Sequence, residues 1–529
     1  MKTSLLYLAA IIAVICLAAA NIIFGNLNQD EGWYLYAARL IASGKMPYRD
    51  FAFTQGPVMP YVYALFQPAF DWGGLMAGRI ITAILGVAGA AMAAILAGRL
   101  VRPGLKTASA FTCFSLLAVN VYQSYFCAVV KTYSLSIVLI ALAFLLLHYA
   151  LSKNSRIATL FSAALLVMAA ATRASAAIAL PIVFLLLLLE CRKIDFYAWL
   201  YFLLGGAIAA VLILGPFLAN CPFNFYYFAG RYHSLREGGG FAATLTFKCG
   251  FLSRIFQAYF VCFAVWIAAL AIKLGLRQPP RAERAAHPDI SGREDRVSGG
   301  VPILMRAIWL SAIGISLVHF FAPFPYDDYE VFVYPLFAIA VSVMIVAALP
   351  GYAMKYLMPA VLMLCLISSL SSPINQEWFI EGRELIWWKT KDSSQLVKLG
   401  ETAKKIRSHC RPGDLLLTQD PYLAVESGTT LPHGLELGQF GYFPDLTREQ
   451  ALKLNVLNRE LMIELLEQCP ANMAALSGYA FAMKSPAVSP TSAEDRRNFY
   501  SIVSNRYELT ATVPDFGQAS TELHIYRKK

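Results

Sequence analysis

The N-terminal sequence joins a long apolar run, SLLYLAAIIAVICLAAANIIF at residues 4–24, to an acidic and aromatic motif, NQDEGWY at residues 28–34. The apolar run has the length that a helix needs to cross a lipid bilayer. With Lys2 before it and three alanines at residues 18–20, it also resembles a cleavable secretory signal. Because the motif begins directly after the run, we interpret residues 4–24 as an uncleaved first membrane span.

The composition extends this interpretation to most of the chain. Of the 529 residues 58% are hydrophobic and 15% are charged, which is too little charge to cover the surface of a soluble protein. The sequence therefore predicts an α-helical polytopic membrane protein with about 11 transmembrane helices. Their predicted positions are residues 4–24, 76–100, 107–121, 133–151, 157–172, 174–190, 196–218, 253–275, 303–322, 331–349 and 353–371.

Basic residues alternate between the predicted spans as the positive-inside rule requires. The densest cluster lies between two apolar segments and contains Lys273, Arg277, Arg281, Arg284, Arg293, Arg296 and Arg306. It is typical of a cytoplasmic loop beside anionic lipid, so the net charge of +11 predicts membrane lipid and not nucleic acid as the partner. The predicted location is the cell (inner or plasma) membrane.

The opposite, extracytoplasmic side receives three loops and the C-terminal part of the chain. The loops are residues 25–75, 219–252 and 323–330. We divide the chain into a transmembrane domain at residues 1–371 and an extracytoplasmic α/β domain at residues 372–529, the C-terminal domain. Its predicted elements are helices at residues 393–408 and 447–468 and strands at residues 414–418, 474–477, 508–513 and 522–526.

The first loop holds the most informative residues, the neighbouring acids Asp30 and Glu31. The apolar residues after them recur at helical spacing and predict an amphipathic helix lying in the membrane interface. In one interpretation Asp30 or Asn28 only caps this helix, with Glu31 in its first turn. In the other the acids are functional, because acidic groups at a membrane boundary are costly unless they are used.

The same loop resembles a known family. After the motif come ARLIASGKMPYRD at residues 38–50 and QGP at residues 55–57. This pattern directly after the first span resembles the membrane-embedded type C glycosyltransferases, the superfamily of protein O-mannosyltransferases and lipid A aminoarabinose transferases. The resemblance is specific in the first loop, broad over the membrane part and only general in the C-terminal domain.

The resemblance implies a glycosyltransferase that moves a sugar from a polyprenyl phosphate donor to a lipid, glycan or protein acceptor outside the cytoplasm. Asp30 matches the general base of such enzymes, with Glu31 orienting the acceptor or tuning Asp30. A hydroxyl acceptor is a poor nucleophile, so a carboxylate must take its proton as the new bond forms. The departing phosphate gains charge, which fixed cations stabilise.

Six further residues are candidates for substrate binding. Lys131 and Arg173 are predicted to bind the donor phosphate, although snorkelling to lipid headgroups is an equal alternative. The other four are Arg39, Tyr48, Asp327 and Asp328, and a solvated turn is the alternative for the acidic pair. Some relatives hold a metal with an acid in the second outer loop, where residues 120–132 offer Lys131 instead. We therefore assign no metal ligand and no cofactor, and a metal requirement is in doubt.

Two other kinds of function remain open. One is a non-catalytic transporter for lipid-linked glycans, and the other is a scaffold with an extracytoplasmic binding domain. Inverted repeats or broken half-helices would favour a transporter, and the sequence displays neither. We also expect a disulfide in at least one of two pairs, Cys221 with Cys249 or Cys410 with Cys469, because both pairs lie on the predicted oxidising side.

The predicted topology can be tested with reporter enzymes fused after residues 290 and 450. The Lys/Arg asymmetry places the first position in the cytoplasm and the second outside it. The two fusions should therefore report opposite compartments. The same compartment for both would contradict the topology.

Overall fold

A computed structural model describes residues 3–234, 240–275, 295–323, 325–370, 386, 393–481 and 491–529. Two sequence predictions lie outside these residues. They are the boundary between the two domains at residue 371 and most of the basic cluster, including Arg277, Arg281, Arg284 and Arg293.

The first 370 residues form a helix bundle. Its helices are α1 (Thr3–Phe24), α2 (Gln29–Ala42), α3 (Val58–Ala64), α4 (Gln67–Arg99), α5 (Lys106–Ala118), α6 (Val121–Ala128), α7 (Tyr133–Lys153), α8 (Arg156–Ala170), α9 (Ala179–Leu189), α10 (Ala198–Asn220), α11 (Pro222–Tyr226), α12 (Tyr232–Ser234), α13 (Phe241–Ala258), α14 (Phe260–Gly275), α15 (Asp295–Phe321), α16 (Tyr334–Ala348) and α17 (Met354–Leu370). Short 3₁₀ helices at Ala174–Ile178 and Asp327–Phe332 lead into α9 and α16.

Several of these helices can span a membrane. Within the described residues five helices are long and apolar enough to cross a bilayer, or up to seven if each of two bent pairs is one span. Shorter apolar helices occupy four more of the predicted spans, as at α8 and α16. The chain is thus a multi-pass membrane protein, and the number of about 11 spans stays a prediction.

Two regions differ from the sequence prediction in shape. The chain bends by 66° between α5 and α6, and by 81° between α13 and α14, where a single straight span was predicted at residues 253–275. The predicted aromatic loop at residues 219–252 is largely helical where it is described. Aromatic rings that suit a membrane interface also pack well along a helix.

Small residues allow α4 to lie close to its neighbours in the centre of the bundle. A Cβ atom at Gly86 would come within 2.6 Å of the Cβ of Cys127, and one at Gly89 within 2.5 Å of Ile137. Such close contacts are typical of helix pairs in membranes, where packing and not water exclusion drives association. They hold α6 and α7, which flank the candidate site, against α4.

The C-terminal domain is a small α/β unit, and its predicted elements are largely confirmed. The strands are β1 (Leu416–Thr418), β2 (Met473–Ser477), β3 (Tyr507–Phe516) and β4 (Thr521–Lys528), and the helices are α18 (Gln395–Arg407), α19 (Pro421–Ser427), α20 (Arg448–Leu454), α21 (Arg459–Gln468) and α22 (Ala493–Arg506). The sheet order is β1-β2-β4-β3, with β1 and β2 parallel and the other pairs antiparallel. The predicted helix at residues 447–468 is two helices, because Asn455 ends α20 in a left-handed conformation.

Helix α2 is present, but it does not lie against lipid. Residues 31–38 are all buried, between the bundle and α19 of the C-terminal domain. The closest approach is at Gly32, where a Cβ atom would come within 2.3 Å of the backbone nitrogen of Tyr422. The Tyr36 hydroxyl accepts a hydrogen bond from the Leu431 N–H at 2.8 Å. Protein therefore covers the faces of α2 that the sequence assigned to the membrane interface.

The predicted disulfides are wrong. All ten cysteines lie in the described residues, and all are free thiols. Cys410 and Cys469 are buried in the C-terminal domain, whereas Cys249 is exposed on α13. The two members of each pair were predicted to lie on the same side of the membrane, but neither pair forms a disulfide.

The tight packing of α2 on the C-terminal domain predicts that Gly32→Ala destabilises the protein. The added methyl group would clash with backbone atoms of Pro421 and Tyr422, and overpacking of this kind costs about 1–3 kcal/mol. Thermal unfolding in nanodiscs should show a lower midpoint for Gly32→Ala. Gly104→Ala is the matched control, because nothing lies within 4 Å of its Cβ position. Equal midpoints for the two variants would contradict this packing.

Candidate functional site

Asn28, and not Asp30, caps helix α2. The Asn28 side chain accepts a hydrogen bond from the Asp30 N–H at 3.0 Å, and Glu31 accepts one from the Asn28 N–H at 3.0 Å. The Asn28 side chain also accepts from the Glu31 N–H, and this bond together with the one that Glu31 accepts makes a capping box. The capping interpretation of the motif therefore holds for Asn28 and Glu31, while the Asp30 carboxylate remains available for other contacts.

Glu31 forms a fully buried ion pair with Arg79 of α4. The Glu31 oxygens accept from Arg79 Nε at 2.8 Å and from an Arg79 terminal nitrogen at 2.7 Å. The remaining guanidinium N–H groups donate to the carbonyls of Ile22, Gly25 and Asn26 where α1 ends. Contact of Glu31 with an acceptor, as predicted from the sequence, does not fit this burial. Its place fits the other prediction, in which Glu31 acts on the neighbouring Asp30.

The Asp30 carboxylate lies at the edge of this buried pair and stays partly open. Its side chain is 27% exposed. One oxygen accepts a hydrogen bond from Trp33 Nε1 at 3.2 Å, and the other lies 3.2 Å from Lys131 Nζ. A carboxylate that is held by two donors and still reaches an opening can accept a proton from a bound molecule.

Lys131 joins Asp30 to the acidic segment before α16. Its ammonium, only 7% exposed, lies 3.2 Å from Asp30 and 3.1 Å from Asp328. Asp328 also accepts a hydrogen bond from the Tyr133 hydroxyl at 2.7 Å. The structure thus brings together three predicted site residues that are as much as 298 positions apart. A buried bridge of this kind does not fit the snorkelling alternative for Lys131 or the solvated-turn alternative for Asp328.

Arg173 is a cation of the site that forms no ion pair with a described carboxylate. Its guanidinium carbon lies 4.7 Å from the ring centre of Tyr133 and 4.4 Å from that of Tyr329. One terminal nitrogen donates to the Thr132 hydroxyl at 3.3 Å, and Nε is buried without a hydrogen-bond partner. No described carboxylate pairs with it. Aromatic faces stabilise a cation but leave its donors free, so Arg173 can still bind an anion.

Asp327 belongs to a second ion pair beside the first. It accepts hydrogen bonds from the Tyr122 hydroxyl at 2.7 Å and from Arg254 Nε at 3.0 Å. Burial, together with the neighbouring charge of Asp328, raises the pKa of Asp327, and its two donors oppose that shift. These donors occupy both Asp327 oxygens, and Arg254 belongs to α13. Asp327 therefore holds α13 in position and is less suited to bind a substrate.

Two predicted substrate-binding residues have other contacts. Arg39 donates to the backbone carbonyls of Ala424, Val425 and Thr429, so it fastens α2 to the end of α19. Tyr48 is fully buried, and its hydroxyl bonds to the backbone carbonyl of Gln55. Tyr48 is not open to a substrate, whereas Arg39 is partly exposed and uses its guanidinium on these carbonyls. The sequence identified both residues through the motif, which they support structurally.

Three residues of the site were not identified from the sequence, namely Arg79, Arg254 and His319. All three lie in predicted apolar spans, at residues 76–100, 253–275 and 303–322. An ionisable residue in such a span is a functional candidate by default, so this signal was available. In the described part of the chain, no group of three His, Cys, Asp or Glu side chains could hold a metal ion. The two nearest carboxylates of the site, Asp30 and Asp328, have the ammonium group of Lys131 between them.

The structure is similar in fold to known membrane enzymes. ArnT from Cupriavidus metallidurans, solved bound to undecaprenyl phosphate, superposes with a TM-score of 0.62 at 13% sequence identity, covering 99% of this chain and 98% of that one. The archaeal oligosaccharyltransferase AglB from Archaeoglobus fulgidus, solved with an inhibitory peptide and a dolichol-phosphate, gives a TM-score of 0.45 at 10% identity, covering 88% and 69%. The sequence matches no protein-family model and no curated protein.

The likeness to ArnT, a lipid A aminoarabinose transferase, confirms the resemblance inferred from the first loop at the level of fold. The chain has the same overall fold as ArnT. It carries a polar site where α2, the segment before α7 and the segment before α16 meet.

The two acids of the motif should respond differently to substitution. In Glu31→Gln the Arg79 guanidinium stays buried without its counter-charge, which typically costs about 3–5 kcal/mol. We expect a much lower thermal midpoint and poor recovery of folded protein. Asp30→Asn, one residue away and partly exposed, is the matched control and should fold normally. Adding Arg79→Gln to Glu31→Gln should recover part of the loss, since no buried charge remains.

If Glu31→Gln instead unfolds at the wild-type temperature, the ion pair does not hold the first loop. Size-exclusion profiles and thermal midpoints of all four proteins, measured in the same nanodiscs, decide between these outcomes.

Proposed function

We propose that this protein is a glycosyltransferase that moves a sugar from a polyprenyl phosphate donor to an acceptor on the extracytoplasmic face of the membrane. The observation that carries the proposal is the pairing of two unlike groups in one site. Asp30 is a partly open carboxylate, and Arg173 is a guanidinium with no acidic partner among the described residues. Transfer of a sugar from a phosphate needs both a base and an anion-binding cation.

In this proposal Asp30 is the general base. The acceptor hydroxyl binds against its exposed edge and gives up its proton as the hydroxyl oxygen attacks the sugar carbon. Trp33 and Lys131 hold the two carboxylate oxygens, so the carboxylate does not have to find its orientation during the reaction. Attack opposite the departing phosphate predicts inversion at the sugar carbon.

Arg173 is the proposed site of the donor phosphate. It is connected to Asp30 through three consecutive residues, because Lys131 contacts Asp30 while Thr132 and Tyr133 contact Arg173. Lys131 was predicted to share the phosphate, but two carboxylates already neutralise its charge. We therefore assign Lys131 to the positioning of Asp30 and Asp328, and Arg173 to the phosphate.

The fold shared with ArnT, a structure that contains undecaprenyl phosphate, supports a polyprenyl phosphate as the donor. A non-catalytic transporter or a scaffold is the alternative, and the scaffold predicts that Asp30 can be replaced freely. The identity of the sugar and of the acceptor is not needed for a first test, because lipid-linked sugars and surface glycans can be compared by mass spectrometry in cells with and without the gene.

The Asp30→Asn variant tests the base. The amide keeps the shape of the side chain, and the helix keeps its Asn28 cap. Loss of a general base typically lowers the rate about a hundred- to ten-thousand-fold. Cells that carry only Asp30→Asn should therefore accumulate the lipid-linked donor and lack the glycan product, while the purified variant folds and binds polyprenyl phosphate as the wild type does.

Arg173→Ala is the companion variant. It should weaken binding of polyprenyl phosphate as well as turnover, because it removes the cation and not the base. Retention of more than about a third of the wild-type transfer by Asp30→Asn would be far above what loss of a base allows. Asp30 would then not be the base, and a transporter or scaffold would gain support if no glycan depended on the gene.

A further inference from the structure

A buried histidine near Arg173 has a hydrogen-bond partner on each ring nitrogen. His319 lies in the last turn of α15 and is 3% exposed. Its Nδ1 lies 2.8 Å from Glu330, and its Nε2 lies 2.8 Å from the Ser175 hydroxyl. The second oxygen of Glu330 accepts a hydrogen bond from Ser316 at 2.7 Å. Three side chains from three separate segments are thus joined in one series of hydrogen bonds, from Glu330 to His319 to Ser175.

The hydrogen-bond pattern assigns the histidine tautomer. With Glu330 ionised, its carboxylate only accepts hydrogen bonds, so Nδ1 carries a proton and donates it to Glu330. In neutral His319 the other nitrogen, Nε2, is then an acceptor. Ser175 must donate to it, and its hydroxyl hydrogen is occupied.

Protonation of His319 reverses the last bond of the chain. With a proton on Nε2 the ring donates to the Ser175 oxygen, and the hydroxyl hydrogen becomes free to bond elsewhere. Ser175 can then donate to a second acceptor. The direction of one hydrogen bond therefore depends on one proton.

This series of hydrogen bonds ends at Ser175, next to the segment of Arg173, the cation that forms no ion pair with a described carboxylate. Ser175 is two residues after Arg173, in the 3₁₀ helix Ala174–Ile178. The rings of Tyr329 and Phe332 contact both Arg173, at 4.4 and 5.5 Å, and His319, at 5.5 and 5.6 Å. His319 and Arg173 thus share one aromatic wall, and Ser175 lies on the short 3₁₀ helix that directly follows Arg173.

We propose that Glu330, His319 and Ser175 form a proton-coupled relay that strengthens binding of the donor phosphate beside Arg173. The proposal rests on the function proposed above, because its ligand is the phosphate of the lipid donor. When the phosphate binds, His319 takes up one proton from water, and the Ser175 hydroxyl turns from Nε2 to a phosphate oxygen. No covalent bond forms or breaks.

The charges around His319 support this coupling. Glu330 is the carboxylate bonded to the ring, and Arg173 is the cation on the shared aromatic wall. Asp328 precedes Glu330 in the same 3₁₀ helix, and Lys248 donates to the carbonyl of the adjacent Phe320, while Ser316 and Ser175 are neutral. A bound phosphate offsets the charge of Arg173, so anion binding makes protonation of His319 easier. By linkage, protonation must then strengthen anion binding by the same factor. Ser175, His319 and Glu330 are positioning residues in this scheme.

The test measures affinity for undecaprenyl phosphate by the full-length protein in nanodiscs between about pH 5.5 and 8, the range in which histidines titrate. Because a phosphate monoester also titrates near pH 6, the informative quantity is the ratio of wild-type to variant affinity at each pH. For His319→Gln, which cannot titrate, we expect this ratio to fall about tenfold from the acidic to the basic end, within the usual range of coupling. Ser175→Ala, a milder change, should give the same fall.

Controls separate the relay from general effects of mutation. His148→Gln changes a histidine on α7 that is not part of the relay, and its ratio should stay constant with pH. Calorimetry in buffers of different ionisation enthalpy should detect net proton uptake when the lipid binds to the wild type, and less uptake with Ser175→Ala.

The possible failures are distinct. A ratio that is constant with pH for both His319→Gln and Ser175→Ala, while the wild type binds the lipid, overturns the relay alone. Absence of binding by the wild type at every pH overturns the proposed donor and the relay with it. If His319→Gln does not fold, Ser175→Ala and the proton uptake of the wild type decide the question.

Discussion

The ion pair between Arg79 and Glu31 is the interaction on which the rest of the site depends. A charged pair without exposure is costly unless every donor and acceptor is satisfied. Here Arg79 uses its Nε and both terminal nitrogens on Glu31 and on three carbonyls where α1 ends. Glu31 in turn accepts from the Asn28 and Val130 N–H groups. One buried contact thereby joins α1, α2, α4 and the segment that precedes Lys131.

The positions of the other polar groups of the site follow from this buried ion pair. Asp30 directly precedes Glu31, and Lys131 directly follows Val130, whose N–H donates to Glu31. The contact between Asp30 and Lys131 therefore follows from the buried ion pair. Lys131 then carries the connection to Asp328. Each of these cations is neutralised, whereas Arg173 is stacked between rings. The contrast is physically meaningful, because a cation that keeps free donors in a desolvated place attracts an anion more strongly than a paired one.

The sequence carries much of this arrangement, but not all of it. Hydropathy predicts the membrane bundle, since a span needs a long apolar run, and alternating turns and apolar strands predict most of the C-terminal sheet. The first-loop motif leads to Asp30 and Glu31, and the charge of Arg79 in an apolar span could have led to the partner of Glu31. The partners of Arg39 could not be found in this way. Three backbone carbonyls nearly 400 residues away leave no trace in the local pattern.

That distance along the chain has a consequence for biosynthesis. The ribosome makes α2 early, but α19, which covers it, is made 385 or more residues later. Until the C-terminal domain has folded, the face of α2 that α19 covers has nothing to pack against. Domains fold as units during synthesis, so this contact forms among the last. The Asp30 carboxylate, which lies at the start of α2, would reach its final surroundings only after translation ends. A truncated chain would contain the first-loop motif but not a complete site.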